Sequence, residues 1–318
     1  MSLIIEQASL FLSVQDLGRI GYARFGLPES GPMDWWAQRA ANRLVGNPTD
    51  AACLEIGLTD TVFRLDEDAL LAVCGAGYQV RVNGRPIPLW MAFLGRCGDR
   101  VTVEKVPGGN LAYLSAAGGL HTPEWLGSRS VTPRAGLGQY LGEGDMIHLR
   151  PEQPLRVNLA GGNLPEKHRP AYRDKPLLRA VPGPHLDRFT PQSLDRFWGS
   201  EFGLTNRSDR MGYRLHGEPL AHVDGADLVS QGMVLGEVQV PGDGQPIIMM
   251  PDHPTTGGYT CVATVARCDL PLLAQAPMGT GRIRFTAIEP AAALQLLRNA
   301  VNGVDAGIEF PEEEWLEW

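Results

Sequence analysis

The chain has 318 residues, 43% of them hydrophobic and 20% charged, a composition typical of a globular protein that buries a core. Its formal net charge of −8 argues against a nucleic-acid surface, which needs a clustered basic patch. Five scattered cysteines, no signal peptide and no membrane-spanning apolar run predict a cytoplasmic protein with reduced thiols and no membrane partner.

The first half of the chain is predicted to be strand-rich around one helix. Asp34 suits the N-cap of a helix over 34–45, which Gly46 ends. The dipeptide Asn83-Gly84 predicts a tight hairpin. Strand-like runs cover 61–65, 69–73, 79–82, 100–103, 111–116 and 146–149.

Five prolines within 151–176 mark a polar connection between two domains, predicted as 1–165 and 166–318. Beyond it, Thr190-Pro191 predicts a helix that Gly199 closes, and a last helix is predicted over 290–302. Further strand-like runs cover 227–229, 234–240, 247–250, 262–265 and 282–286. The acidic tail 312–318 is predicted to be a frayed end or a docking segment.

Short turn-bounded strands with few helices predict a mainly β fold rather than alternating βαβ units. A faint internal repeat supports two related β-rich domains. Arg19-Ile-Gly-Tyr22 recurs as Arg210-Met-Gly-Tyr213, and a glycine and a proline follow each copy at the same offset.

Residues 241–259 form the most informative stretch, in which two polar, glycine-rich segments flank the short apolar run 247–250. Glycines allow close approach of a ligand, and the polar side chains supply donors and acceptors. Two interpretations stay open at this point: two loops of a site at the ends of one strand, or two tight turns with no further role.

Several autonomous catalytic motifs are absent from the sequence. There is no G-x-x-x-x-G-K-[ST] phosphate loop, no H-E-x-x-H, no G-x-S-x-G and no Met-Lys-Met biotinylation site. We therefore expect no metal site and no biotin attached to this chain, and we expect its chemistry to draw on groups supplied from elsewhere.

Read in order, the loops resemble those of a known family. Its motifs here are Val14-Gln-Asp-Leu-Gly-Arg19, Ser30-Gly-Pro-Met-Asp34, Ala116-Ala-Gly-Gly119, Leu126-Gly-Ser-Arg129, Ser208-Asp-Arg-Met-Gly-Tyr-Arg214, Pro241-Gly-Asp-Gly-Gln-Pro246 and Thr255-Thr-Gly-Gly-Tyr259. They resemble the biotin-dependent carboxyltransferase-like family, which includes the C subunit of 5-oxoprolinase, KipA, allophanate hydrolase subunit 2 and part of urea carboxylase. The resemblance spans about residues 14–286.

This resemblance implies two cyclophilin-like β-barrel domains with a few short helices. It implies one component of an ATP-dependent 5-oxoprolinase, a hydrolase that converts 5-oxo-L-proline to L-glutamate in a hetero-oligomer with an A-subunit homologue and a KipI-like B subunit. ATP would then act through the complex, and this chain would be inactive alone. Two alternatives are a carboxyltransferase subunit of a urea-carboxylase-type biotin enzyme and a KipA-like regulatory binding protein.

The predicted site follows the same motifs. Asp243 is predicted as proton acceptor or substrate anchor, Gln245 as a further catalytic residue, and Arg210 as an anion contact, unless Arg210 forms a structural salt bridge. The predicted substrate-binding residues are Gly242, Thr255, Thr256, Tyr259, Tyr213 and Asp209. One position departs from the family: Cys261 stands where a basic residue is usual, which removes a charge that would stabilise an anion.

Overall fold

The computed structural model describes residues 1–150 and 155–310, so the predicted tail 312–318 lies outside the described residues. Those residues fall into two compact units. One comprises 1–19, 34–170 and 301–310, and the other comprises 20–33 and 171–300. Neither unit is one continuous segment, whereas the sequence prediction divides the chain once, at residues 165/166. That division stays a prediction.

The first unit is built from antiparallel strands. Within the part that the structure describes, these are β1 (Ser2–Gln7), β2 (Phe11–Gln15), β3 (Cys53–Gly57), β4 (Thr61–Leu65), β5 (Ala69–Gly75), β6 (Tyr78–Val82), β7 (Arg85–Ile87), β8 (Met91–Gly95), β9 (Arg100–Lys105), β10 (Leu111–Ala116), β11 (Leu120–His121) and β12 (Met146–Leu149). They form a seven-stranded sheet in the order β11-β12-β1-β4-β9-β6-β7 and a five-stranded sheet in the order β2-β3-β10-β5-β8.

One hydrophobic core holds the two sheets of the first unit together. Leu3 and Phe63 of the larger sheet and Leu54, Leu71 and Leu114 of the smaller sheet belong to the same buried cluster. Burial of a large aliphatic or aromatic side chain contributes about 1.5–3 kcal/mol. Alternate residues of a strand belong to this cluster, for example Ala112, Leu114 and Ala116 of β10, and this alternation shows which face of the sheet turns toward the core.

Helix α1 (Trp35–Leu44) packs beside the strands of the first unit and confirms the predicted helix and both of its ends. The Asp34 side chain accepts a hydrogen bond from the Ala37 backbone N–H at 3.0 Å, which satisfies one of the free donors of the first turn. Gly46 follows the helix with φ of +76°, the left-handed conformation that glycine adopts readily.

The second unit contains a second set of strands, two complete helices and the first part of a further helix that begins at Pro290. The strands are β13 (Leu177–Pro182), β14 (Phe202–Leu204), β15 (Gly212–His216), β16 (Asp227–Gly232), β17 (Glu237–Val240), β18 (Ile247–Met249), β19 (Thr256–Val265) and β20 (Arg282–Ala287). The helices are α2 (Pro191–Gly199) and α3 (Leu270–Ala274).

Seven of these strands close into a barrel. The ring runs β13-β20-β14-β15-β18-β17-β19, and it closes because β13 pairs with β20 on one side and with β19 on the other. Strand β16 pairs with β19 outside the ring. The side chains of Tyr213, Leu215 and Ile248 are buried, and those of Arg214 and His216, which alternate with them, are exposed.

The mainly β fold class is confirmed, and helices α1, α2 and α4 (Pro290–Ala306) lie where the sequence predicted helices. In α2, Thr190 is the N-cap and Pro191 the first helical residue, as expected. Helix α4 continues past Gly303, so its predicted end at that residue is wrong. A single interior glycine costs a helix only about 1 kcal/mol relative to alanine, which neighbouring residues can offset. No helix within residues 1–150 and 155–310 is both long and apolar enough to cross a membrane.

Candidate functional site

The loop 241–246 joins β17 to β18, and the side chain of Gln245 fixes it to the backbone of Gly217. The Gln245 side-chain Oε1 accepts a hydrogen bond from the Gly217 N–H at 2.9 Å, and its Nε2 donates to the Gly217 carbonyl at 3.1 Å. The Gln245 side-chain amide thus uses its oxygen and one of its N–H groups to bind the backbone of Gly217. Gln245 positions the loop through these bonds, and its predicted catalytic role stays a prediction.

Asp243 lies exposed at the tip of this loop. Its Oδ1 accepts the Gln245 backbone N–H at 3.0 Å, an Asx turn that fixes the direction of the side chain. Its Oδ2 has no hydrogen-bond partner within the described ranges. This second oxygen is therefore available as an acceptor for a ligand or a proton.

Two glycines of the loop have different roles. Gly244 has φ of +72°, and a Cβ placed there would lie 2.8 Å from the Leu220 backbone N, which donates to the Gly244 carbonyl. Gly242 has open space around its Cα, with nothing within 4 Å of a Cβ placed there. The loop requires glycine at 244 for close backbone packing, and at 242 it leaves room beside Asp243.

Arg210 lies against the loop that follows β18. Its Nε donates to Asp252 Oδ2 at 2.8 Å and its Nη2 to Oδ1 at 3.2 Å, a forked ion pair. The same Nη2 donates to the Gly31 carbonyl at 2.6 Å and lies 3.4 Å from Ser30 Oγ. The two side chains of the pair are only 12% and 8% exposed. The salt-bridge interpretation of Arg210 therefore has a named partner, Asp252, which the sequence prediction missed.

The structure places Arg210 and the loop 241–246 at opposite ends of β15. Arg210 precedes the strand, and Gly217, which holds Gln245, follows it. At about 3.3 Å per residue, the seven steps from Arg210 to Gly217 span roughly 20 Å. The predicted catalytic residues thus form two separate clusters rather than one.

The other predicted binding residues near Arg210 are engaged in local structure. Asp209 Oδ1 accepts the backbone N–H groups of Met211 and Gly212 at 2.8 and 3.3 Å, which shapes the turn into β15. Tyr213 is buried, with its hydroxyl 3.5 Å from the Ala274 carbonyl. Its burial places it in the packed interior, and its predicted role in substrate binding stays a prediction.

The prediction that Thr255–Tyr259 form a loop is wrong, because most of these residues lie in a β-strand. From Thr256 onward these residues belong to β19, and Thr256 and Tyr259 pair with Gly232 and Asp227 of β16. A Cβ at Gly257 would lie 2.4 Å from the Met233 sulfur, so this glycine permits close packing. Thr256 and Tyr259 are exposed on this strand, and Thr255 precedes it.

Cys261 lies further along β19 and is 2% exposed. Burial, with a smaller contribution from the nearby Glu237 carboxylate, raises the pKa of its thiol to about 12. Its Sγ lies 3.3 Å from the Ala263 carbonyl, to which the thiol donates. Cys261 is thus neutral and enclosed, and it supplies no charge where the family usually has a basic residue.

A shallow groove, here called the outer groove, runs along the outside of the barrel over β14, β15 and the loop 241–246. It consists of two adjoining depressions of about 370 and 390 Å³ that share Thr205, Asn206 and His216. Its polar lining residues are Thr205, Asn206, Arg207, Arg214, His216, Asp243, Gln245, Glu201 and Arg282. Asp243 and Gln245 are the predicted site residues that the groove brings together.

The sequence prediction missed the arginines of the outer groove. The sequence nevertheless contains a pattern that could have identified two of the basic residues of the groove, Arg214 and His216. Gly212–His216 alternates apolar and polar side chains, the pattern of a half-buried strand with Arg214 and His216 on its outer face. Within the described residues, no group of three or more His, Cys, Asp or Glu is arranged to hold a metal ion.

Comparison with known proteins defines the class to which this fold and these loops belong. Residues 25–287 match the family model of the carboxyltransferase domain, subdomains A and B. The chain belongs to this family. It is 36% identical over 280 residues to the C subunit of 5-oxoprolinase from Escherichia coli, an alignment that covers 86% of this chain and 88% of that protein. The Haemophilus influenzae 5-oxoprolinase C subunit is 34% identical, with 90% and 91% covered.

Solved structures share the fold. The crystal structure of TTHA0988 matches with a TM-score of 0.82 and 34% identity over 90% of this chain, which spans 55% of that protein. The Kluyveromyces lactis urea amidolyase matches with a TM-score of 0.88 and 29% identity over 100% of this chain, which spans 20% of that protein.

Proposed function

We propose that this chain is the C subunit of an ATP-dependent 5-oxoprolinase, acting with an A subunit and a KipI-like B subunit to hydrolyse 5-oxo-L-proline to L-glutamate. One observation carries the proposal: the match covers 88% and 91% of the two 5-oxoprolinase C subunits. The matches to a putative urea carboxylase of Emericella nidulans and to the K. lactis urea amidolyase span only 22% and 20% of those proteins. The similarity therefore extends over nearly the whole of a 5-oxoprolinase C subunit, but over only about a fifth of the urea carboxylase and the urea amidolyase.

The site supports a role inside a complex. Asp243 offers a free carboxylate oxygen, whereas Gln245 and Arg210 are engaged by Gly217 and Asp252. An exposed loop with one free acceptor gains catalytic strength when a partner excludes water and adds positive charge. We therefore propose that the isolated chain is inactive and that ATP is consumed by the assembled complex. Five free cysteines support a cytoplasmic location.

A second candidate is a carboxyltransferase subunit of a urea-carboxylase-type enzyme, acting on a separate biotin carrier. The TM-score of 0.88 over the whole chain with the K. lactis urea amidolyase favours it. A KipA-like regulatory protein would bind the B subunit without turnover.

Reconstitution separates the three candidates. The chain is co-expressed with homologues of the A and B subunits, and 5-oxo-L-proline-dependent ATP hydrolysis is measured with and without each component. We expect turnover only from the full set, and we expect Asp243→Asn to lower it by about 100-fold or more while the fold survives.

Other outcomes would contradict the proposal. Full turnover by the isolated chain, or no copurification with the B subunit, would show that the complex is not required. Urea-dependent carboxyl transfer from a biotinylated carrier would support the second candidate. Copurification with the B subunit without turnover in the complete mixture would support the regulatory one.

A further inference from the structure

The outer groove brings three arginines and His216 together on a chain whose net charge is −8, and its lining also includes the carboxylates Glu201 and Asp243. Strand pairing places its basic side chains on one face: Gly203 of β14 pairs with Arg282 on one side and with His216 on the other. Arg214, two residues before His216 on β15, points the same way. Arg207 joins them from the loop between β14 and β15.

Among the residues that the structure describes, the arginines of the groove have no carboxylate partner. Arg207 and Arg214 make no side-chain hydrogen bond or ion pair with any residue in the described ranges. Arg282 donates only to the backbone carbonyls of Thr280 and Gly281 at 3.3 and 3.2 Å. Among exposed arginines elsewhere in the described ranges, Arg100 pairs with Glu6 at 2.7 Å, whereas Arg85, like the groove arginines, has no ion-pair partner.

Gly203 forms the floor of the groove. A Cβ at this position would lie 3.2 Å from Arg282 Nη1, so the guanidinium reaches across the strand over a residue that has no side chain. Any larger residue between Arg282 and His216 would fill the depression. The groove therefore combines a recess with guanidinium groups that have unused donors.

We propose that the outer groove binds a small anion through the guanidinium groups of Arg207 and Arg214, with His216 and Arg282 beside them. A planar guanidinium fork matches the paired oxygens of a carboxylate or phosphate. Asp243, which lines the same depression as Arg207 and Arg214, accepts a hydrogen bond from an N–H or O–H of the same ligand. The ligand class is a small carboxylate or phosphate that also carries a donor, and each depression has the volume of a small-molecule site.

Calorimetric titration of the full chain alone tests this site. The probes are 5-oxo-L-proline, which the proposed function supplies, ADP and inorganic phosphate, at low ionic strength. We expect saturable binding of at least one, weakened at least about tenfold by Arg214→Gln and by Arg207→Gln. Arg85→Gln removes the same charge from an exposed position on β7 and is the matched control, with an unchanged Kd.

Comparing the three probes shows which chemical class of anion the outer groove binds. Binding of 5-oxo-L-proline assigns the groove to a carboxylate substrate, and binding of ADP or phosphate alone assigns it to a phosphate group. No saturable binding of any probe would overturn the proposal, as would equal weakening by Arg85→Gln. Melting temperatures check that the variants are folded. Binding by the isolated chain does not require the partner proteins, so its failure is distinguishable from failure of the reconstitution.

Discussion

Replacing Arg210 tests whether its buried ion pair with Asp252 holds the fold or serves a ligand. Removing one partner of a buried, hydrogen-bonded pair costs about 3–5 kcal/mol, because the other charge stays buried without compensation. At side-chain exposures of 12% and 8%, both groups are nearly withdrawn from water. Arg210→Ala also removes the hydrogen bond to Gly31. We therefore expect Arg210→Ala and Asp252→Ala each to lower the unfolding free energy by about 3–5 kcal/mol.

The double variant gives the energy of the pair itself. If Arg210 and Asp252 act as a unit, the double variant should lose less than the sum of the two single losses, by about 1–3 kcal/mol. Urea denaturation followed by circular dichroism measures all four proteins. Arg207→Ala is the matched control: it is exposed, lies in the same inter-strand loop, and should change stability by no more than about 0.5 kcal/mol.

The result decides between the two roles that the sequence left open for Arg210. A loss below about 1 kcal/mol in Arg210→Ala, with additive effects in the double variant, would refute the structural role. If such a stable variant also abolished the activity of the assembled complex, Arg210 would be an anion contact. Its guanidinium group would then release Asp252 and bind the anionic ligand instead.

Three further predictions concern the loop, acid sensitivity and thiol access. Gly244→Ala should destabilise the protein by at least about 1–3 kcal/mol, because its φ is positive and its Cβ would meet backbone, whereas Gly242→Ala should be neutral in the same denaturation assay. Burial lowers the pKa of His222. Because the unfolded chain then binds more protons than the folded protein, the folded protein should lose stability as the pH drops below about 6.5. His222→Gln should therefore reduce the loss of melting temperature between pH 7.5 and pH 5.5, and an unchanged loss would contradict this explanation. Ellman's reagent at pH 8 should label only Cys97 in the native protein, since the other four thiols are buried; rapid labelling of more than one would contradict it.

Local signals in the sequence predicted local structure well. The Asn83-Gly84 hairpin is confirmed: Val82 pairs with Arg85, and the two turn residues have φ of +49° and +81°, as a two-residue type I′ turn requires. The sequence prediction missed several strands, namely β1, β2, β3, β8, β11, β13, β14 and β15. Strands β1 and β13 are defined by pairing with strands that are distant in the sequence. β1, for example, pairs with β4 and with β12, about 145 residues later, and no local pattern specifies such a partner.

The candidate site was harder to predict for the same reason. The sequence suggested that 241–246 and 255–259 are two loops at the ends of one strand; β18 confirms that strand, but β19 takes up most of the second segment. The partner of Arg210 lies 42 residues away, and the groove depends on the register of β14 between β15 and β20. The residue types identified the polar segments correctly. Only the register of the paired strands shows which polar side chains line the same groove.

The arrangement of the 241–246 loop implies a division of roles between its residues. Gln245 binds Gly217, and Gly244 packs against Leu220, so both fix the backbone of the loop to the barrel. Asp243 is oriented by this scaffold through one oxygen and keeps the other oxygen free, on the margin of a groove that carries unpaired guanidinium groups. A loop fixed in this way, with one free acceptor in a depression also lined by arginines, suits a ligand with both an anionic group and a hydrogen-bond donor, because a preorganised site loses less conformational entropy on binding.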